Sequence, residues 1–203
     1  MLGYRRVRRI LLRRPDSERA ERISMTHPWH DVPIGEDAPD EFSVVIEVSK
    51  GSKVKYELDK DTGLLEVDRI LYSSVVYPEN YGFIPQTLAD DDDPLDVIVL
   101  MQEPVQPMSL MEVRPIGMLP MVDEGENDEN IICVHVEDPQ YMAFNNVNEF
   151  AEHRLNEIKQ FFMEYKNLEG KEVEVGEIKG PEDAKEYIQR AIDLYKEKVS
   201  SAS

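Results

Sequence analysis

A chain of 203 residues is long enough for one domain with a substantial core. Its formal charge of -19 is uneven: residues 1–24 hold eight arginines and three acids, which leaves the rest at a net -24. So acidic a body repels nucleic acid and anionic membrane, no run of eighteen apolar residues is present to span a bilayer, and one cysteine excludes an internal disulfide.

The basic head admits three readings: an organelle transit peptide, an arm for an anionic surface, or a stretch upstream of a natural start at Met25. The third is favoured, because Met25-Thr-His-Pro-Trp-His opens domain-like sequence. All three place residues 1–24 outside a domain running from 25 to 203. The expected location is cytoplasmic, or organellar if the head is a transit peptide.

Residues 42–48 are rich in β-branched side chains and predict a strand. After the Gly51-Ser52 break, Val54-Lys-Tyr-Glu-Leu58 alternates, which puts Lys55 and Glu57 on one face. Asp61-Thr-Gly63 predicts a hairpin turn into residues 64–71, with Arg69 on the face of Leu65 and Val67. Tyr77-Pro-Glu-Asn-Tyr81-Gly82 reads as an aromatic turn. Further strands are expected at 97–101, 111–118 and 131–137, the last containing a buried, inert Cys133. Many short strands between Pro- and Gly-rich turns favour a barrel.

The period then changes. Asn146-x-x-Glu149 predicts a capping box, and Phe150, Leu155, Ile158, Phe161, Phe162, Tyr165 and Leu168 follow at helical spacing until Gly170. Pro181 suits a first helical position. Ala184, Tyr187, Ile188, Ala191, Ile192 and Tyr195 make the second apolar stripe. Both stripes are core packing.

The run Asp90-Asp-Asp-Asp93-Pro-Leu-Asp96 concentrates five carboxylates in seven residues before an apolar strand. Alone, it reads as a solvated acidic turn. Placed after Lys55, Glu57, Arg69 and the tyrosines, it supplies what phosphoryl chemistry requires. Cations and phenols hold phosphate oxygens, and clustered carboxylates hold hard divalent cations such as Mg2+. An acidic body accepts an anionic substrate only where bound cations reverse the local sign.

The spaced set Glu47…Lys55-Tyr-Glu57…Arg69…Tyr77-Pro-Glu-Asn-Tyr81-Gly…Asp91-Asp-Asp93-Pro-Leu-Asp96 closely resembles the soluble, family I inorganic pyrophosphatases. The resemblance extends over residues 26–199, through Asp123-Glu-Gly125, Asp128 and Tyr165-Lys166. It implies an α+β fold, a five-stranded OB-like β-barrel with two C-terminal α-helices packed beside it. It implies Mg2+-dependent hydrolysis of pyrophosphate to two phosphates by direct attack of metal-bound hydroxide, with several ions per site and Mn2+ as an alternative metal. Asp91, Asp96, Asp123 and Asp128 would hold metal, and Asp93 would be the base. Lys55, Arg69, Tyr77, Tyr81, Tyr165 and Lys166 would bind phosphate, with Lys55, Arg69 and Tyr81 also serving catalysis. Glu47 and Glu57 would complete the acidic wall. A homo-oligomer follows, with a hexamer favoured.

Two positions depart from the family pattern. Asn130 stands where a phosphate-contacting Lys is usual, which motivates the alternative of a catalytically weak homologue that binds metal and phosphate. Gln160 and Glu164 stand where many bacterial relatives carry interface histidines. A calcium-binding module is disfavoured, because no Asp-x-Asp-x-Asp-Gly loop is present and the cations and tyrosines would have no role.

Overall fold

A computed structural model describes residues 26–202, so the readings of the basic head lie outside the described residues. The strands are β1 (Phe42–Val48), β2 (Val54–Leu58), β3 (Leu65–Ile70), β4 (Asn80–Phe83) and β5 (Asp96–Leu100), followed by β6 (Leu110–Leu119), β7 (Met121–Asp123), β8 (Glu126–Asn127), β9 (Asn130–His135) and β10 (Val173–Val175). The helices are α1 (Glu152–Glu164) and α2 (Pro181–Ala202). Five strands close a barrel in the order β1-β4-β5-β9-β6; β2 pairs with β3 alone, and β10, β7 and β8 form a third sheet. Among the described residues no helix is long and apolar enough to cross a membrane.

The apolar runs at 97–100 and 131–134 lack alternation because their strands are buried on both faces. Val97, Val99, Ile131 and Cys133 pack with Ala184, Ile188 and Ala191 of α2. The intervening Ile98, Leu100, Ile132 and Val134 pack with Ile158, Phe161 and Phe162 of α1. β5 and β9 run parallel, with Val97 opposite Ile131 and Leu100 opposite Val134. A smaller cluster joins Trp29, Val45, Leu58, Phe83 and Leu88.

Three local expectations are corrected. The aromatic turn at 77–82 is in its second half a barrel strand, β4, clamped between β1 and β5. Gly82 makes the clamp possible, since a Cβ there would lie 2.0 Å from the carbonyl oxygen of Val45. The capping box does not start α1: Asn146 caps a short 3-10 turn, Val147–Glu149, and Glu149 accepts the N–H of Asn145 at 3.0 Å rather than that of Asn146. The helix begins at Glu152 without a side-chain cap. Leu168 lies past the helix end and is exposed, whereas the other positions of that stripe are buried or partly buried. Pro181 is the first residue of α2, as its missing N–H favours.

Candidate active site

One end of the barrel opens on a cleft of about 360 Å3. Its walls include all thirteen residues to which the resemblance gives a site role: Glu47, Lys55, Glu57, Arg69, Tyr77, Tyr81, Asp91, Asp93, Asp96, Asp123, Asp128, Tyr165 and Lys166. They come from β1, the β2–β3 hairpin, the segment leading into β4, β4 itself, the acidic turn, β5, β7, the β8–β9 loop and the residues just past α1.

The hairpin delivers the first two cations. Lys55 and Arg69 are directly opposed across β2 and β3. Facing like charges would repel, and carboxylates offset them. Lys55 pairs with Glu57 and lies 3.7 Å from Asp68; Arg69 lies 3.1 Å from Asp68 and 3.3 Å from Glu169. Burial works against the Lys55 ammonium, but Glu57 outweighs it and raises its pKa. Glu57 is itself burdened by burial, yet Lys55 holds its pKa below the usual value. The Nη2 of Arg69 is buried without a hydrogen-bond partner, a donor suited to a phosphate oxygen.

The acidic run divides by direction. Asp90 turns out to Arg190 at 2.5 Å and Asp92 to Lys198 at 2.8 Å, both cations on α2. Asp91, Asp93 and Asp96 face the cleft. The division follows from the backbone: Asp92 adopts a φ of 68°, and the Asp91 carboxylate accepts the N–H of Asp93 at 3.0 Å. Neighbouring acidic side chains thereby diverge.

Electrostatics in the cleft favour protons or cations. Burial, reinforced by Asp128, raises Asp96 well above the carboxylate range, although Tyr81 donates a hydrogen bond to it. Burial with Asp123 and Asp91 nearby pushes Asp128 up to about 6. Burial pushes Glu47 up to about 8, despite the Leu58 N–H it accepts at 2.7 Å. Loss of water also raises Asp91. Below lies an aromatic floor in which the Tyr77 ring stands 4.7 Å from Phe161 and 5.4 Å from Tyr81. Burial raises Tyr77, Tyr81 and Tyr165, so all three remain hydrogen-bond donors at neutral pH. Lys166 pairs with Asp123, and Tyr165 Oη stands 3.4 Å from the same carboxylate.

The donor set suits a hard divalent cation. Asp91, Asp96, Asp123 and Asp128 offer oxygen alone, and Oδ1 of Asp123 is buried without a hydrogen-bond partner. Among the described residues no three carboxylates converge tightly enough to cage an ion. Two of the four are already engaged: Lys166 pairs with Asp123, and Tyr81 donates to Asp96.

Asn130 departs from expectation. It is fully buried at the start of β9 and does not line the cleft; its Nδ2 donates toward Met121 Sδ at 3.7 Å and the Asp128 carbonyl at 3.5 Å. Gln160 and Glu164 bond to each other at 2.7 Å on the exposed face of α1. The sequence reading assigned no role to four charged residues in the walls, Lys60, Asp68, Glu124 and Lys171, of which Lys171 pairs with Glu124 at 2.7 Å. For Lys60 the available signal was its place on the hairpin that carries Lys55.

Comparison with known proteins agrees with this geometry. A family model described as inorganic pyrophosphatase matches residues 44–196. The chain is 56% identical over 179 residues to a soluble inorganic pyrophosphatase of Zea mays, spanning 88% of this chain and 84% of that one. It is 57% identical over 183 residues to soluble inorganic pyrophosphatase 5 of Arabidopsis thaliana, spanning 90% and 85%. Its backbone superposes on the crystal structure of inorganic pyrophosphatase from Thermus thermophilus with a TM-score of 0.81 and 39% identity, covering 84% of this chain and 99% of that one. The chain belongs to the inorganic pyrophosphatase family.

Proposed function

We propose that this chain hydrolyses pyrophosphate to two phosphates with Mg2+ as its metal. The observation that carries the reading is the meeting, in one cleft, of Lys55, Arg69 and Lys166 with Asp91, Asp93, Asp96 and Asp128. One set grips an anion and the other grips cations. Asp91, Asp96, Asp123 and Asp128 would hold the metal, which supplies charge neutralisation and a lowered water pKa.

The chain's own residues do the rest. Lys55, Arg69 and Lys166 orient the phosphate oxygens and stabilise the charge that builds as the bridging P–O bond breaks. Tyr77, Tyr81 and Tyr165 keep their protons, so each presents a donor rather than a further anion. Asp93 takes a proton from the water that attacks phosphorus. Glu47 and Glu57 keep Lys55 and the wall in place. The aromatic floor excludes bulk water from beneath the reacting atoms.

Phosphate release from pyrophosphate tests the reading. Turnover with Mg2+ and its loss in excess chelator are expected; binding of phosphate without turnover would favour the weak homologue. Mn2+ in place of Mg2+ tests the metal preference. A homo-oligomer, with a hexamer favoured, is part of the same proposal. Light scattering gives its mass, and a monomer would refute it.

A further inference from the structure

Lys60 sits in the turn between β2 and β3, and its ammonium forms an ion pair with the carboxylate of Asp93 across the cleft opening. No role for Lys60 arises from the cleft chemistry described so far. Its turn is firmly held. The Gly63 N–H donates to the Asp59 carbonyl at 2.8 Å, the Asp59 N–H donates to the Leu64 carbonyl at 2.8 Å, and Asp59 Oδ1 accepts the Thr62 N–H at 2.8 Å. His27 Nε2 lies 3.1 Å from the Lys60 carbonyl. Gly63, at φ +70°, lets Pro28 and His27 pack on the turn, since a Cβ there would meet Pro28 Cδ at 3.0 Å. The cation is therefore presented from a fixed backbone.

Asp93 needs such a partner. Its backbone is fixed by the Asp91 carboxylate at 3.0 Å and by the Ala89 N–H at 2.7 Å. Its side chain is 44% exposed and follows three other aspartates in the chain. We propose that Lys60 is a positioning residue for hydrolysis, holding the Asp93 carboxylate in the orientation from which it receives the proton of the attacking water. This rests on the reading of Asp93 as the base. Lys60 is 49% exposed, so the pair adds little to stability. A base displaced by an ångström still costs rate. Orientation and folding are thus separable here.

The test uses the full chain at saturating Mg2+, comparing Lys60→Ala, Lys60→Arg, Asp93→Asn and the double variant Lys60→Ala/Asp93→Asn. Lys60→Ala should lower kcat roughly tenfold with KM within about twofold, and the melting temperature should stay at the parent value. Lys60→Arg should recover most of the rate. In the Asp93→Asn background, Lys60→Ala should have no further effect, because the group it orients is gone. A second readout needs no turnover. In chelated protein with 13C-methylated lysines, the Lys60 signal, assigned by its loss in Lys60→Arg, should shift in Asp93→Asn. Unchanged kcat, a rise in KM alone, or an equal loss in both backgrounds would overturn the proposal; the last two would mean direct contact with phosphate. Should Asp93→Asn alone retain the parent kcat, the base assignment fails and the proposal falls with it, by a measurement that does not involve Lys60.

Discussion

At the level of single residues, the acidic turn shows how composition becomes geometry. Five carboxylates in seven positions read as one negative patch, yet Asp90 and Asp92 answer cations on α2 while Asp91, Asp93 and Asp96 enter the cleft. The residue types and spacing were legible. The cations that sort them lie 100 and 106 positions away in the chain and were not. Asp93→Asn keeps the shape but removes a proton acceptor. Its kcat should fall by about 100-fold or more, with metal affinity changed only modestly, as steady-state rates against Mg2+ concentration will show. Cys133 makes a simpler case. It is fully buried, and burial alone lifts its thiol far above the usual range. Iodoacetamide should leave the native enzyme active and unlabelled, and label it only after denaturation. Labelling of the folded protein by mass spectrometry would refute the burial.

At the level of elements, β5 and β9 were visible as apolar runs because burial on both faces erases alternation. Their parallel pairing was not visible, since nothing local distinguishes it. β4 was hidden for another reason: Pro78, Asn80 and Gly82 carry turn chemistry, and only the barrel's need for a strand against β1 overrides it. The capping signal at Asn146 was real but served a 3-10 turn, with α1 starting after a further bend. Gly82 gives a sharp test. An added methyl would fall 2.0 Å from the Val45 carbonyl oxygen and 2.7 Å from Ile46 Cα, both backbone atoms that cannot swing aside. Gly82→Ala should cost about 3 kcal/mol. That corresponds to a melting temperature lower by about 6–12 °C for a domain of this size. A melting temperature within a degree of the parent would show that the two strands do not meet so closely.

For the whole molecule, the cleft draws on segments from Glu47 to Lys171, so its carboxylates are brought together only when the barrel closes. Glu47, Asp96 and Asp128 all bind protons more tightly in the fold than in the unfolded chain. Groups with raised values favour the fold fully below the ordinary carboxylate range. That contribution is lost as pH rises through about 6 for Asp128 and about 8 for Glu47. In chelator, the protein should therefore melt at a higher temperature near pH 5.5 than near pH 8.5, and saturating Mg2+ should flatten the slope, because cations replace the protons. An equal or higher melting point at the alkaline pH in chelator would contradict this.

The smallest apolar cluster carries a spectroscopic consequence. Trp29 is the chain's single tryptophan, 5% exposed, and its indole N–H donates to the Thr87 carbonyl at 2.8 Å. Around it stand Val45, Leu58, Phe83 and Leu88, from β1, β2, β4 and the segment after β4. Its emission should thus be blue-shifted in the native protein and move red as those segments separate, giving an intrinsic optical signal of barrel assembly. The His30 ring is stacked on it at 4.5 Å. An imidazolium at that distance quenches indole, and burial holds His30 below its ordinary range. Acidification should therefore dim the folded protein without shifting its colour, a change that His30→Gln would abolish. Loss of intensity together with a red shift would instead report unfolding, so one lamp and one cuvette separate protonation beside the indole from the opening of the barrel.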